Sequence, residues 1–141
     1  MIRSVAMLTL VAATLAGVAG CGPQELPKAL VRGNVTLNGA PLKEGSIKFI
    51  PLSGDGPTTG AVLKGDGEFS TEVPAGMMRV EITSPKVTGK RKVYDTPDSP
   101  TVEITEEQIP ERYNVKSELK YEVVSGEKEV EAGFDLTTDK K

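Results

Sequence analysis

From Ala29 onward the apolar positions recur every second residue, the period of half-buried β-strands rather than of helices. In Val31-Arg32-Gly33-Asn34-Val35-Thr36-Leu37, the residues Val31, Val35 and Leu37 share one face, and Arg32, Asn34 and Thr36 share the other. Asn38-Gly39 follows, a dipeptide suited to a tight turn with positive φ. Ile47 and Phe49 share a face in a strand over Ser46 to Pro51, and Ser53-Gly54-Asp55-Gly56-Pro57 reads as a loop. A second hairpin is predicted from Thr59 to Lys64, through Gly65-Asp66-Gly67, into Glu68 to Val73, with Phe69 and Val73 on one face. Pro74-Ala75-Gly76 turns the chain, after which Met78, Val80 and Ile82 alternate with Arg79, Glu81 and Thr83. The closing strands run over Lys120 to Val124 and Val130 to Leu136, the latter with Val130, Ala132, Phe134 and Leu136 on one side.

Between residues 86 and 100 the alternation lapses, and this is the longest stretch read as irregular. Thr105-Glu106-Glu107-Gln108 has the form of a helix capping box, but Pro110 limits any helix there to about one turn. About seven short strands, separated by Gly, Pro, Asn and Asp turns, predict an all-β fold. The expected form is an antiparallel Ig-like or transthyretin-like β-sandwich over residues 29–137, followed by a polar tail at 138–141.

The first residues follow a different pattern. Arg3 supplies a positive start and Val5 to Leu15 an apolar run. Ala16-Gly17-Val18-Ala19-Gly20 supplies the small side chains that a signal peptidase needs, so residues 1–20 read as a cleaved signal peptide. Val18-Ala19-Gly20-Cys21 resembles the bacterial lipobox. That resemblance implies that the Cys21 thiol is alkylated with diacylglycerol, that the leader is cut before Cys21, and that the new amino group is then acylated with a palmitate-type chain. It also implies export to the bacterial cell envelope, anchored on the periplasmic or outer face of a membrane. Two or more acyl chains hold a protein firmly where one holds it marginally. Residues 21–28, with Pro23, Pro27 and Gly22, read as a short tether. The competing possibility is an uncleaved spanning helix, since Ser4 to Gln24 is uncharged and about 20 apolar residues cross a bilayer. Gly17, Gly20, Gly22 and Pro23 make a poor end for such a helix.

Composition narrows the chemistry. The 17 basic and 20 acidic residues give a net charge of −3, and losing Arg3 with the leader makes it −4. This mild acidity argues against nucleic-acid binding. Cys21 is the sole cysteine, so no internal disulfide forms and stability must come from core packing. The chain has no histidine. Ser-His-Asp and Cys-His catalysis are thereby excluded, and the usual nitrogen ligand of zinc or copper is missing. No cofactor is expected.

Several short motifs together resemble the carboxypeptidase regulatory-like, or transthyretin-like, domain. They are Gly33-Asn34-Val35-Thr36-Leu37-Asn38-Gly39-Ala40-Pro41-Leu42, Gly45-Ser46-Ile47-Lys48-Phe49, Asp66-Gly67-Glu68-Phe69 and Pro74-Ala75-Gly76. Small bacterial lipoproteins with one such domain often carry a segment like Ile109-Pro110-Glu111-Arg112-Tyr113-Asn114. The resemblance covers most of residues 29–136 and implies a β-sandwich without shared catalytic residues. Met78-Arg79-Val80 departs from the family's Tyr-Arg-Val.

The candidate sites are few. Asp55, Asp66, Asp95 and Asp98 are loop acids of the kind calcium uses, but they form no dense acidic loop, and Asp66-Gly67 is explained by its turn. Lys86, Lys90, Arg91 and Lys92, with Tyr94 and Asp95, form a candidate binding loop for a headgroup, an acidic envelope polymer or an envelope protein. The competing reading is a solvated loop. Tyr113 is expected to pack its ring on the sandwich and bond its hydroxyl to backbone, with Arg112 pairing to Glu111 or a neighbouring acid. Tyr94, Tyr113 and Tyr121 could stack on sugars, although three scattered tyrosines make a thin platform. The expected function is a membrane-anchored, non-catalytic binding or structural module. The alternatives are carbohydrate or peptidoglycan binding and, further off, a hydrolase using the paired carboxylates Asp95 and Asp98.

Overall fold

A computed structural model describes Gly22 and residues 25–139 of the chain. The leader and Cys21 lie outside the described residues. The strands are β1 (Lys28–Leu37), β2 (Ala40–Pro41), β3 (Ser46–Pro51), β4 (Thr59–Val62), β5 (Glu68–Pro74), β6 (Gly76–Thr83), β7 (Pro85–Lys92), β8 (Thr101–Glu107), β9 (Lys120–Val123) and β10 (Glu129–Leu136). A 3-10 turn spans Glu111–Tyr113. One sheet holds β10, β1, β2 and β5, with β1 in the middle, and the other runs β4-β3-β6-β9. β7 and β8 form a two-stranded sheet of their own. The fold is an all-β sandwich, and setting aside two-residue β2, seven strands build its two layers.

The period-two pattern accounts for the core. Val31, Val35, Phe69, Val73, Ala132, Phe134 and Leu136 come from one sheet, and Ile47, Phe49, Met78, Val80, Ile82 and Val123 from the other, all buried. At the centre Phe49 meets Phe69, Tyr121 and Phe134 at ring separations of 6.0, 6.4 and 6.5 Å. Such tilted and edge-on pairs add stabilisation beyond area burial. Among the described residues, every core residue falls between Ala29 and Leu136. Asn38 (φ 52) and Gly39 (φ 82) both take the left-handed backbone that a two-residue hairpin demands, which joins β1 to β2.

Three expectations are corrected. First, the second predicted hairpin is a crossing between layers: β4 pairs with β3 while β5 pairs with β1. Only the bridge Lys64↔Glu68 survives of the hairpin pairing, because Leu63 turns into the core between the sheets. Second, the sandwich is not wholly antiparallel. β10 lies parallel to β1 from Leu30↔Glu129 to Leu37↔Leu136. β9 ends beside Gly76, at the same end where Lys28 starts β1 beside Pro74. Two strands that enter from the same end and lie side by side must run parallel.

Third, the stretch read as irregular is strand over residues 86–92, and only residues 93–100, the tip, are irregular. β7 and β8 pair antiparallel from Pro85↔Glu107 to Lys92↔Thr101, with a bulge between Val87 and Gly89. The Thr105-Glu106-Glu107 stretch is strand, not a helix cap. Sequence alternation failed there because neither face of this sheet packs on the sandwich: all but Gly89 of its strand residues are exposed.

Candidate functional site

The hairpin holds the residues singled out as a candidate binding loop, and its base explains how they are held. Glu107 closes β8 and its carboxylate accepts the backbone N–H groups of Ser84 and Ile109 at 2.7 and 2.9 Å. Ser84 is fully buried, and its hydroxyl donates to the Glu44 carbonyl at 2.6 Å while accepting from the Gln108 amide at 3.1 Å. Ser84 also accepts the Gln108 backbone N–H on its carbonyl. Ile109 then buries its side chain in the core. A buried polar cluster with its donors and acceptors paired fixes a geometry. The hairpin is thus a firmly based projection about 25 Å long, at about 3.3 Å per strand residue.

β7 carries Lys86, Lys90, Arg91 and Lys92 and no acid, whereas β8 carries Glu103, Glu106 and Glu107 and no base. The register sets Lys86 opposite Glu106 and Lys90 opposite Glu103. With Asp95 and Asp98 at the tip, the segment 85–107 holds four bases and five acids. Its charge is a pattern across two strands rather than a basic patch. This lowers its attraction for an anionic headgroup surface, which depends on uncompensated cations.

The opposite property is apolar. Val93 (45 % exposed), Val102 (43 %) and Ile104 (41 %) project from one hairpin face, which Arg91 shares opposite Val102, with Ile104 leaning over Gly89. At the tip the Val93 N–H donates to the Pro100 carbonyl, and the Tyr94 N–H donates to the Ser99 hydroxyl at 2.7 Å. Tyr94 is left 65 % exposed beside Asp95. The sequence signal for this stripe was present in the Val102 and Ile104 alternation. What it lacked was any indication that the face points to solvent.

The remaining tyrosines are structural. Tyr121 packs edge-on in the aromatic core against Phe49 and Phe134 and donates its hydroxyl to the Glu131 carbonyl at 3.2 Å. Burial pushes its phenol up from the ordinary value. Tyr113 packs on the core, and its hydroxyl accepts the Thr137 backbone N–H at 3.5 Å. The hydrogen bond with the Thr137 hydroxyl holds its pKa below the ordinary tyrosine value. Among the described residues Arg112 pairs neither with Glu111 nor with another acidic side chain. Its guanidinium stacks 4.8 Å from the Tyr113 ring centre and donates to the carbonyls of Thr137 and Asp139. Glu111 pairs instead with Lys116 at 2.6 Å. The segment 109–116 therefore clamps the end of β10, and the supposed polar tail is tied down through Thr138, whose N–H donates to Asn38 Oδ1 at 2.9 Å.

Asp55 lies in the loop before β4, Asp66 at the crossing between layers, and Asp95 and Asp98 on the hairpin tip. Among the described residues no three acids converge as a metal site. Asp95 and Asp98 stand in the open, without the enclosed cleft that paired-carboxylate hydrolysis uses. A cleft of about 690 Å³ does lie on the outer face of the first sheet, lined by Arg32, Asn34, Lys64, Asp66, Glu68 and Glu131. Its charges are mixed, and Arg32 is already engaged with Glu129 at 3.0 Å.

The class that fold and site define is a two-layer all-β domain bearing a projecting, two-stranded arm. No protein-family model matches the chain, and no curated protein matches it. Solved structures similar to it include the following two. A DUF3823 family protein from Parabacteroides merdae ATCC 43184 is 14% identical, with a TM-score of 0.40, over 79% of this chain and 46% of its own. A 9R-lipoxygenase from Cyanothece PCC8801 is 13% identical, with a TM-score of 0.39, over 83% of this chain and 18% of its own. The chain thus spans under half of either neighbour, and the architecture above rests on the strand pairing itself.

Proposed function

We propose that the chain is a lipid-anchored, non-catalytic module of the bacterial envelope. In this reading a carboxypeptidase regulatory-like sandwich serves as a pedestal, and the β7–β8 hairpin is the binding element. The observation that carries it is the polarity of the domain. The chain enters at one end, where the Ala75 N–H donates to the Pro27 carbonyl at 2.7 Å. The hairpin leaves from the other, after β6 has run the length of the sandwich from Gly76 to Thr83. An anchor on Cys21 would then leave Tyr94, the Val93-Val102-Ile104 stripe and the segregated charges of Lys86, Lys90, Arg91 and Lys92 pointing away from the membrane. A partner with a complementary apolar strip flanked by charge, a protein rather than a polyanion, suits that surface best. The absence of histidine and the openness around Asp95 and Asp98 support a binding role over a hydrolytic one.

The anchor is tested by feeding labelled fatty acid to cells. Label should enter the protein and be lost in Cys21→Ala, whereas label in the variant overturns the anchor. The arm is tested with a photo-crosslinking residue in place of Tyr94 in intact cells. One defined partner, lost on Val102→Ser with Ile104→Ser, is expected. Recovery of abundant background proteins alone, or of sacculus fragments, overturns the protein-binding reading.

A further inference from the structure

We infer that the tether end of the sandwich is itself a lipid-contact surface, with Leu26, Leu52, Met77 and Val124 resting in the interfacial layer of the bilayer. The inference rests on the lipid-anchor reading of Cys21. Its first support is the length of chain available. Leu26 is already docked: a Cβ added to Gly56 would come within 2.8 Å of its Cδ1. Pro27 is hydrogen-bonded to Ala75. Four residues lie between Cys21 and Leu26, and the five residue steps this makes span at most about 18 Å when fully extended. The headgroup layer itself takes up about 5–7 Å of that on each side of a bilayer. An anchor at Cys21 therefore keeps this end within touching distance of the surface.

The second support is what the end displays. Leu26 is 38 %, Met77 42 %, Leu52 47 % and Val124 55 % exposed. The Leu52 N–H donates to the Met77 carbonyl at 3.0 Å, and Met77 lies opposite Glu122, two residues before Val124 on the same face. Leu52, Met77 and Val124 thus project together from the last rung of the β4-β3-β6-β9 sheet. Leu52 opens the loop before β4, and Val124 opens the turn before β10, positions where polar residues are the rule.

Charge selects the kind of contact. Lys28 and Lys128 are outnumbered at this end by Glu25, Asp55, Glu122 and Glu127. Attraction to anionic lipid is therefore weak, and the contact is one of apolar side chains entering the boundary between headgroups and acyl chains. A small patch suffices, since the tether makes the encounter intramolecular and supplies a high effective concentration. The apolar stripe of the hairpin, at the far end, is out of reach.

The test uses residues 21–141, coupled through the Cys21 thiol to a maleimide lipid in phosphatidylcholine vesicles, with and without phosphatidylglycerol. A phospholipid bearing a photoreactive diazirine near the top of its acyl chain is then activated and the labelled peptides mapped. Label is expected around Leu26, Leu52, Met77 and Val124 and absent from residues 86–104. It should be equal in both vesicle types and fall severalfold in Leu52→Ser with Val124→Ser, whose unfolding midpoint should stay unchanged. Label spread evenly over the domain, concentrated on the hairpin, unaffected by the double variant, or dependent on phosphatidylglycerol overturns the inference. The chemical coupling places Cys21 on the bilayer whatever the cell does, so failure here leaves the fatty-acid test of the anchor untouched, and failure of that test leaves this one interpretable.

Discussion

The sandwich and the hairpin are built from the same kind of strand, yet they use their apolar residues in opposite ways. In β6 the alternate residues Met78, Val80 and Ile82 are buried against the facing sheet, and each layer needs the other. In β8 the alternate residues Val102 and Ile104 remain over two-fifths exposed because no layer covers them. A two-stranded sheet is marginal by itself in water. This one is held by its base, through Glu107, Ser84 and the buried Ile109 behind them. The difference teaches that periodicity reports strand geometry, whereas burial reports only what happens to be packed above it.

That contrast can be broken most severely in the core. Phe49 is fully buried at the meeting point of three other rings, and Phe49→Ala should cost about 3–5 kcal/mol in a urea titration, unfolding the sandwich and with it the hairpin. A cost near 1 kcal/mol would mean that the two layers are not held by this cluster.

The next effect should separate the two regions. Glu107→Ala strands the Ser84 and Ile109 N–H groups, at about 1–3 kcal/mol for an unsatisfied buried donor. Hydrogen exchange should quicken across β7 and β8 while β1, β3 and β6 keep their protection, as expected of a local opening. Equal loss of protection everywhere would make the arm an integral part of the sandwich.

Smaller still, Val102→Ser with Ile104→Ser should leave stability within about 0.5 kcal/mol of the parent, as substitutions at exposed positions do. The same pair in a buried strand would unfold the protein. A marked loss of thermal stability would mean that the stripe is covered in solution. The least effect concerns Glu111. Lys116 lowers its carboxyl pKa from the ordinary 4.5, mainly through their hydrogen bond. The stabilisation is therefore present above the unfolded value and lost as pH falls through the lowered folded one. Glu111 in an NMR titration should protonate below the usual carboxylate range, and Lys116→Met should return it there. No change in the variant would refute the pairing.

Much of the sandwich was legible because its residues alternate against a partner layer. Ile47 with Phe49, Phe69 with Val73, and Phe134 with Leu136 all lie inside as their spacing implies. Asn38-Gly39 turned as its backbone preference requires. The crossing after β4 was not legible, since Gly65-Asp66-Gly67 is compatible both with a hairpin and with a step from one sheet to the other. The hairpin arm was read as a loop because charged and small residues at Lys86, Thr88, Gly89 and Lys90 dilute its alternation. The basic cluster was visible in sequence, but Glu103 and Glu106 lie far enough along the chain that only the register brings them opposite it. Tyr113 was read correctly as structural, while the acceptors of Arg112 lie more than 20 residues ahead and carry no local mark.

The sequence by itself determined the β character, the positions of the turns, most of the core and the exclusion of histidine-dependent chemistry. These depend on short-range periodicity, local backbone preference and composition, all of which are written along the chain. Only the tertiary structure decided which strands share a sheet, that β10 joins β1 in parallel, and that the chain enters at one end while an arm with a bare apolar stripe leaves from the other. Those features depend on pairings between residues tens of positions apart, and no local pattern encodes which of two compatible partners a strand will meet.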